Sequence, residues 1–278
     1  MKMILRGLLP LAALLAPSVA SAQSTSNFGM VGYDLDMTGE EAFLQSITGF
    51  TDQCQVTELA EPNVLCLVQN DKQGELWIGF KKNGDRLEFI TANPGLPGKG
   101  KFPAKFVTRV SDPEWEPFEY KISVQFSSLD IPLLIEVADP RTAGTFSDIE
   151  EGAALTLDVT AFTFNPEIYE SPEDFRKAVQ ESGHELKLAP EHFIPIGLFG
   201  DDPTAHAAFG GTIKKAELRT TSDGATFWVT LVEILEGATV NAVFDDISVT
   251  KPPKVGQFIV GEYWLSGRIA DEAVMAAN

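Results

Sequence analysis

The sequence predicts a mainly β protein with a small α+β unit at its N-terminal end. The β part is expected to close as an antiparallel OB-like barrel or barrels, with a β-sandwich as the alternative fold. Three observations predict this. Between Gly210 and Ile269, four runs rich in aromatic and β-branched residues follow one another, punctuated by the turn signals Ser222-Asp223-Gly224 and Glu236-Gly237. A second set of four such runs lies between Ala104 and Phe164. The last run, Phe258 to Ile269, is interrupted by Gly261, as a bulge or bend would interrupt a long strand shared between both sides of a small barrel.

Taken in order, the chain opens with Lys2 and Arg6, an apolar stretch from Leu8 to Ala16, and Ser18-Val19-Ala20-Ser21-Ala22. This is the order of a secretory signal peptide, residues 1–22, with cleavage after Ala22. The apolar stretch falls well short of the ~20 residues a spanning helix needs. No stable membrane insertion is therefore expected, and the product is placed in the periplasm or the medium. The leader carries two of the 21 basic and none of the 40 acidic residues, so its removal takes the formal charge from −19 to −21. Such a charge repels phosphate backbones, which excludes nucleic acid as an expected partner and leaves proteins, cationic peptides, metal ions or neutral glycans.

Residues 23–92 read as the α+β unit. Thr38-Gly39-Glu40-Glu41 has the form of a capping box, with Phe43, Leu44 and Ile47 at helical spacing behind it and Gly49 as the stop, so a helix is expected over 39–48. Strands are expected at Val64–Val68, Leu76–Phe80 and Arg86–Thr91, the last two joined through Asn83-Gly84 in a tight hairpin turn. Cys54 and Cys66 are the two cysteines of the chain, and in an oxidising compartment they are expected to pair as a structural disulfide.

Residues 93–101 are dense in Pro and Gly and read as a linker. Beyond them, 102–278 forms the β domain. Its two strand sets, 102–165 and 205–270, share an order of side-chain classes: Lys105 to Arg109 parallels Lys215 to Arg219, and Ile135 to Asp139 parallels Asn241 to Asp245. The choice is between two tandem OB-like units and unrelated runs that look alike. The insert 166–204 contains Ser171-Pro172-Glu173-Asp174, an N-cap followed by a proline at the first helical position and acids in the first turn, which predicts a helix over 172–182.

Candidate chemistry is sparse. His184, His192 and His206, with Glu185, Glu191, Asp201 and Asp202, supply the residue types of a zinc site or an acid–base pair, but not the spacing of a known zinc motif. A metal-dependent hydrolase using this segment is the alternative function, with solvated loop histidines as the competing account. Asp245-Asp246 and Glu150-Glu151 could ligate calcium through oxygen, or be solvated turns. Glycine-rich phosphate loops, dinucleotide fingerprints and nucleophile elbows are absent from the sequence, and no cofactor is expected. Trp228, Tyr263 and Trp264 would make an aromatic platform for a sugar ring or apolar peptide if the tryptophans emerge on one face, and core residues otherwise. The leading expectation is an exported, non-enzymatic binding or interaction module of the cell envelope, and a structural envelope component is the third.

Overall fold

The computed structural model describes residues 26–110, 112, 115–126, 132–182, 189–199 and 202–270. The expected signal peptide therefore lies outside the described residues. The chain is mainly β, in two sheets, one of them large and ring-like.

The smaller sheet is an antiparallel meander of β1 (Gln55–Glu58), β2 (Asn63–Gln69), β3 (Glu75–Asn83) and β4 (Arg86–Gly95), in that order. The β3–β4 turn differs from expectation in one respect. Asn83 pairs with Arg86, so the two turn residues are Gly84 and Asp85, and of these Gly84 takes the positive φ, 61°. That is the arrangement of a type II′ hairpin, which puts glycine first. Helix α1 (Glu40–Thr48) packs beside this sheet, with Phe43 against Phe28 and Phe89. The expected capping box does not form: Gly39 is the N-cap, and Thr38 instead donates its amide and hydroxyl to Asp36 Oδ1 at 2.9 and 2.6 Å. The short Asp36 acceptor two residues back competes successfully for the groups that would have capped the helix. Cys54 and Cys66 form the disulfide, which fastens the entry of β1 to β2.

The large sheet holds β5 (Phe102–Val110), β6 (Lys121–Phe126), β7 (Pro132–Val137), β8 (Ala154–Phe162), β9 (Glu167–Tyr169), β10 (Phe193–Ile194), β11 (His206–Thr220), β12 (Thr226–Glu233), β13 (Thr239–Asp245) and β14 (Phe258–Ile269). Its strand order is β10-β11-β12-β13-β8-β5-β6-β7-β14-β9, with β14 also paired to β8 and to β11. Two closed cycles result. One runs β8-β5-β6-β7-β14, the other β11-β12-β13-β8-β14, and both use the β8–β14 pair.

Side-chain alternation explains how one pair serves everything around it. In β8, Leu157, Val159 and Ala161 join the inner core while Phe162 joins a second core outside the ring. In β14, Ile259, Tyr263 and Leu265 point inward, whereas Phe258 and Val260 pack under Phe175 of helix α3 (Pro172–Glu181). The inner core is filled with aromatic rings, among them Phe102 on Phe126 at 4.8 Å and Phe209 on Tyr263 at 3.8 Å between centroids. A short helix α2 (Ala143–Ser147), not anticipated from the sequence, adds Phe146 to this core. Helix α3 itself is capped as expected, Ser171 Oγ accepting the Asp174 amide.

Gly261 is not a bulge. The β11–β14 register runs unbroken from His206↔Trp264 to Thr212↔Phe258, and the irregularity falls in β11, between Ile213 and Lys215. The glycine is needed for space, because a Cβ there would lie 3.1 Å from the Tyr263 ring and 3.2 Å from Thr163 Oγ1.

The N-terminal unit docks on the outer face of the ring. Met30, Val31, Val64 and Ile78 share the second core with Phe162, Phe227, Val229 and Val243. Arg268 of β14 donates to Glu75 of β3 at 2.8 Å, and Arg219 donates to the Lys72 carbonyl. The segment expected as a linker is part of this structure: β4 continues through Gly95, Leu96 is buried, and Gly98 and Gly100 donate their amides to the Asp158 carboxylate.

Candidate functional site

Position along alternating strands decides the fate of the aromatic residues. Trp228 pairs across the sheet with Leu218 and Phe244 and rests half-buried against the inner core. Trp264 is half-buried too, but on the other face, against Phe162 at 4.8 Å. The two tryptophans therefore do not share a face. Tyr263 is wholly buried, and burial pushes its phenol upward in pKa. A platform made of these three residues is not what the fold builds.

Trp264 does line a small pocket with Asn93, Glu119, Glu136 and Ser266. Its free volume is about 10 Å³, room for roughly one water molecule and not for a sugar ring. Within it the Glu136 carboxyl is pushed up to about 7, chiefly by burial and partly by Glu119, against the pull of Lys121 and an indole hydrogen bond from Trp264.

The histidines separate. His192 is buried, stacked on Phe175, with Nδ1 facing the Ala189 and Pro190 carbonyls, and burial lowers its pKa. His206 is exposed at the start of β11, opposite Trp264, with Nδ1 on the Thr204 hydroxyl. Glu191 and Asp202 are exposed. His184, Glu185 and Asp201 lie outside the described residues. Among the described residues no group of three or more His, Cys, Asp or Glu is placed to hold a metal ion.

A wider concavity lies elsewhere. The β12–β13 register pairs Phe227 with Asp245, which sets the Asp223–Thr226 turn beside Asp245, Asp246 and Ile247. Gly29, Tyr33 and Asp34 of the N-terminal segment form the opposite wall of a cleft of about 430 Å³. Four carboxylates thus meet at one opening, from Asp34, Asp223, Asp245 and Asp246. Tyr33 is locked in place by its hydroxyl, which donates to the Val68 and Gly74 carbonyls.

Asp245 differs from the other three. It is 3 % exposed, where Asp34, Asp223 and Asp246 are open to solvent. One oxygen, Oδ1, caps the following turn by accepting from the Ser248 amide and hydroxyl. The other, Oδ2, is buried with no hydrogen-bond partner. Burial raises the pKa of this carboxyl, with Asp246 adding to the rise and the Ser248 hydrogen bonds opposing it. The solvated-turn account of Asp245 is thereby corrected, because the N-terminal segment covers the strand face on which Phe227 and Val243 also lie.

No family model and no curated protein matches this chain. The functional reading rests on the geometry of the cleft.

The sequence did offer half of the site: Asp245-Asp246 and the Ser222-Asp223-Gly224 turn are both visible in it. Asp34 and Tyr33 carried no signal. They reach the cleft only because the first described segment folds back across the ring.

Proposed function

We propose that the protein is an exported, non-enzymatic binding module whose ligand site is the cleft between the N-terminal segment and the β12–β13 end of the ring-like sheet. The observation that carries this reading is the cleft itself: its size lies in the ~300–1,000 Å³ range of small-molecule and side-chain sites, and polar groups converge on it from two parts of the fold. The finer architecture belongs to the same proposal. The two strand cycles are read as OB-like barrels filled by side chains, so a ligand binds on the outside, where loops and the N-terminal unit meet. Export is supported by the Cys54–Cys66 disulfide and the leader-like first residues. Among the described residues no helix is long and apolar enough to cross a membrane.

The test is a fragment screen by NMR with neutral, anionic and cationic small molecules and short peptides. Saturable shifts at Tyr33, Asp34, residues 223–226 and residues 245–247 are expected, and Ala225→Trp, which fills the cleft, should abolish them. A screen in which no class of compound perturbs these residues defeats the reading.

A further inference from the structure

Away from the cleft, two carboxyls meet where the smaller sheet docks on the ring. Glu119, just before β6, reaches across the seam: its Oε1 accepts the Thr91 hydroxyl and, at 3.0 Å, the Asn93 side-chain amide, both from β4. Glu136 of β7 lines the same small pocket as Glu119 and Asn93, together with Pro94 of β4 and with Trp264 and Ser266 of β14. We propose that this seam is a pH-operated latch, closed while Glu136 carries a proton and loosened when Glu119 and Glu136 are both ionised.

The geometry of the pocket carries the argument. It has room for about one water molecule, too little to hydrate two carboxylates, and like charges sharing one site resist joint ionisation. Lys121, the cross-strand partner of Glu136, is the cation that acts on it. The other charges around the seam are engaged elsewhere. Arg268 of β14 donates to Glu75, Arg141 pairs with Asp139 beyond the end of β7, and β4 brings Asn93 and Pro94, which carry no charge. His206 of β11, opposite Trp264, is acted on by Glu262 and Lys121. One carboxylate is thus compensated by Lys121, and a second leaves the closed pocket with excess negative charge.

Loss of the proton is coupled to movement because β4 forms part of the pocket wall. Opening the seam returns Glu136 to water and to its ordinary value of 4.5, whereas the closed seam holds the proton up to about pH 7. The closed form binds the proton more tightly, so opening becomes easier as pH rises between these values and levels off above them. The movement has a limit. Past Pro94 the chain is fastened again, with the Gly98 and Gly100 amides on the Asp158 carboxylate.

Hydrogen exchange of the Trp264 indole N–H, which bonds Glu136, tests the latch when followed by NMR on the full chain from pH 5 to 8 and corrected for intrinsic exchange. Opening should increase roughly tenfold or more up to about pH 7, tenfold being the factor carried by each unit of pKa difference, and then level off. The Gly98 and Gly100 amides should keep their protection. Glu136→Gln, whose amide oxygen can still accept the indole, should abolish the rise. Should that variant fail to fold, Glu119→Gln, which keeps an acceptor for Thr91 and Asn93, must shrink the rise and bring the plateau to lower pH. His206→Gln must leave the rise in place, because the histidine titrates near the same range. A flat wild-type profile, a rise that survives Glu136→Gln or is unchanged by Glu119→Gln, or one that vanishes with His206→Gln overturns the inference. So does exchange that rises equally at Gly98, Gly100 and throughout the ring, which is general destabilisation and not a latch.

Discussion

Asp158 does more than its place in a strand requires. Its carboxylate accepts from the Gly98 and Gly100 amides at 2.7 and 2.9 Å and from Asn241 Nδ2 at 2.8 Å, while Asn241 Oδ1 takes the Lys99 amide. A Pro- and Gly-rich stretch is thus held against the ring by two buried side chains, and the glycines are required by closeness: a Cβ on Gly98 would meet Asn241 Nδ2 at 2.0 Å. Asp158→Ala should cost about 3 kcal/mol or more in urea denaturation, since it strands several donors at once. Asp158→Asn should be nearly as harmful, because one oxygen becomes a donor facing other donors. A loss below about 0.5 kcal/mol in both, the scale of an ordinary surface change, would show that water replaces the carboxylate.

Glu136 makes a prediction about pH at the same scale. Its folded pKa, about 7, lies above the ordinary value of 4.5, so between these values the folded protein holds a proton that the unfolded chain releases. Its contribution to stability is complete below about pH 4.5 and is lost as pH rises through about 7. Glu136→Gln should flatten the stability profile in that window and leave the protein more stable than wild type at pH 8. Parallel profiles for the two proteins, from denaturant unfolding across pH 4–8, would contradict this.

At the scale of elements, β1 is the piece most dependent on covalent help. Among the described residues it pairs only with β2, its residues are largely exposed, and Val56 is 63 % exposed, so little burial holds it. The Cys54–Cys66 bond at its entry supplies the constraint. Denatured, unreduced protein should contain no labelled thiol. A Cys54→Ser/Cys66→Ser double variant should lose about 3 kcal/mol of stability by the chain-entropy argument. Its amide exchange should rise in β1 and the facing edge of β2, with β8 and β14 unaffected. Exchange rising throughout the ring instead would mean that the sheets are not separable in this way. Among helices, α3 matched expectation because cap, proline and first-turn acids all act within one turn. For α1, Thr38 had two competing partners within reach, and pattern alone could not choose between them.

In the whole molecule, β8 and β14 join the two strand sets into one hydrogen-bonded sheet. β13 needs β8 for its second edge, and β7 needs β14. A fragment covering 205–270 would keep β11 to β14 but lose β8, exposing the edges of both β13 and β14. It should show no cooperative unfolding, whereas the whole chain from 26 onward should unfold in one calorimetric transition across the ring. A stable, cooperatively folding 205–270 fragment would refute this and make the C-terminal set a self-sufficient unit.

Local sequence was enough for the mainly β class, for eleven of the fourteen strands among the described residues in approximate position, for helix α3 and for the pairing of the chain's two cysteines. These follow from side-chain period, cap chemistry and turn residues, all of which act over a few neighbouring positions. The short strands β1, β9 and β10 escaped notice because two to four residues carry no period. Which face each residue of β12 and β14 presents, and to what, was decided only by the tertiary structure: Trp228 and Trp264 could not be assigned to different cores until the N-terminal unit had covered one side of the ring. The cleft has the same origin. Asp34 and Asp245 stand more than 200 positions apart in the chain, and only the packing of Met30 and Val31 against Phe227 and Val243 brings their carboxylates to one opening.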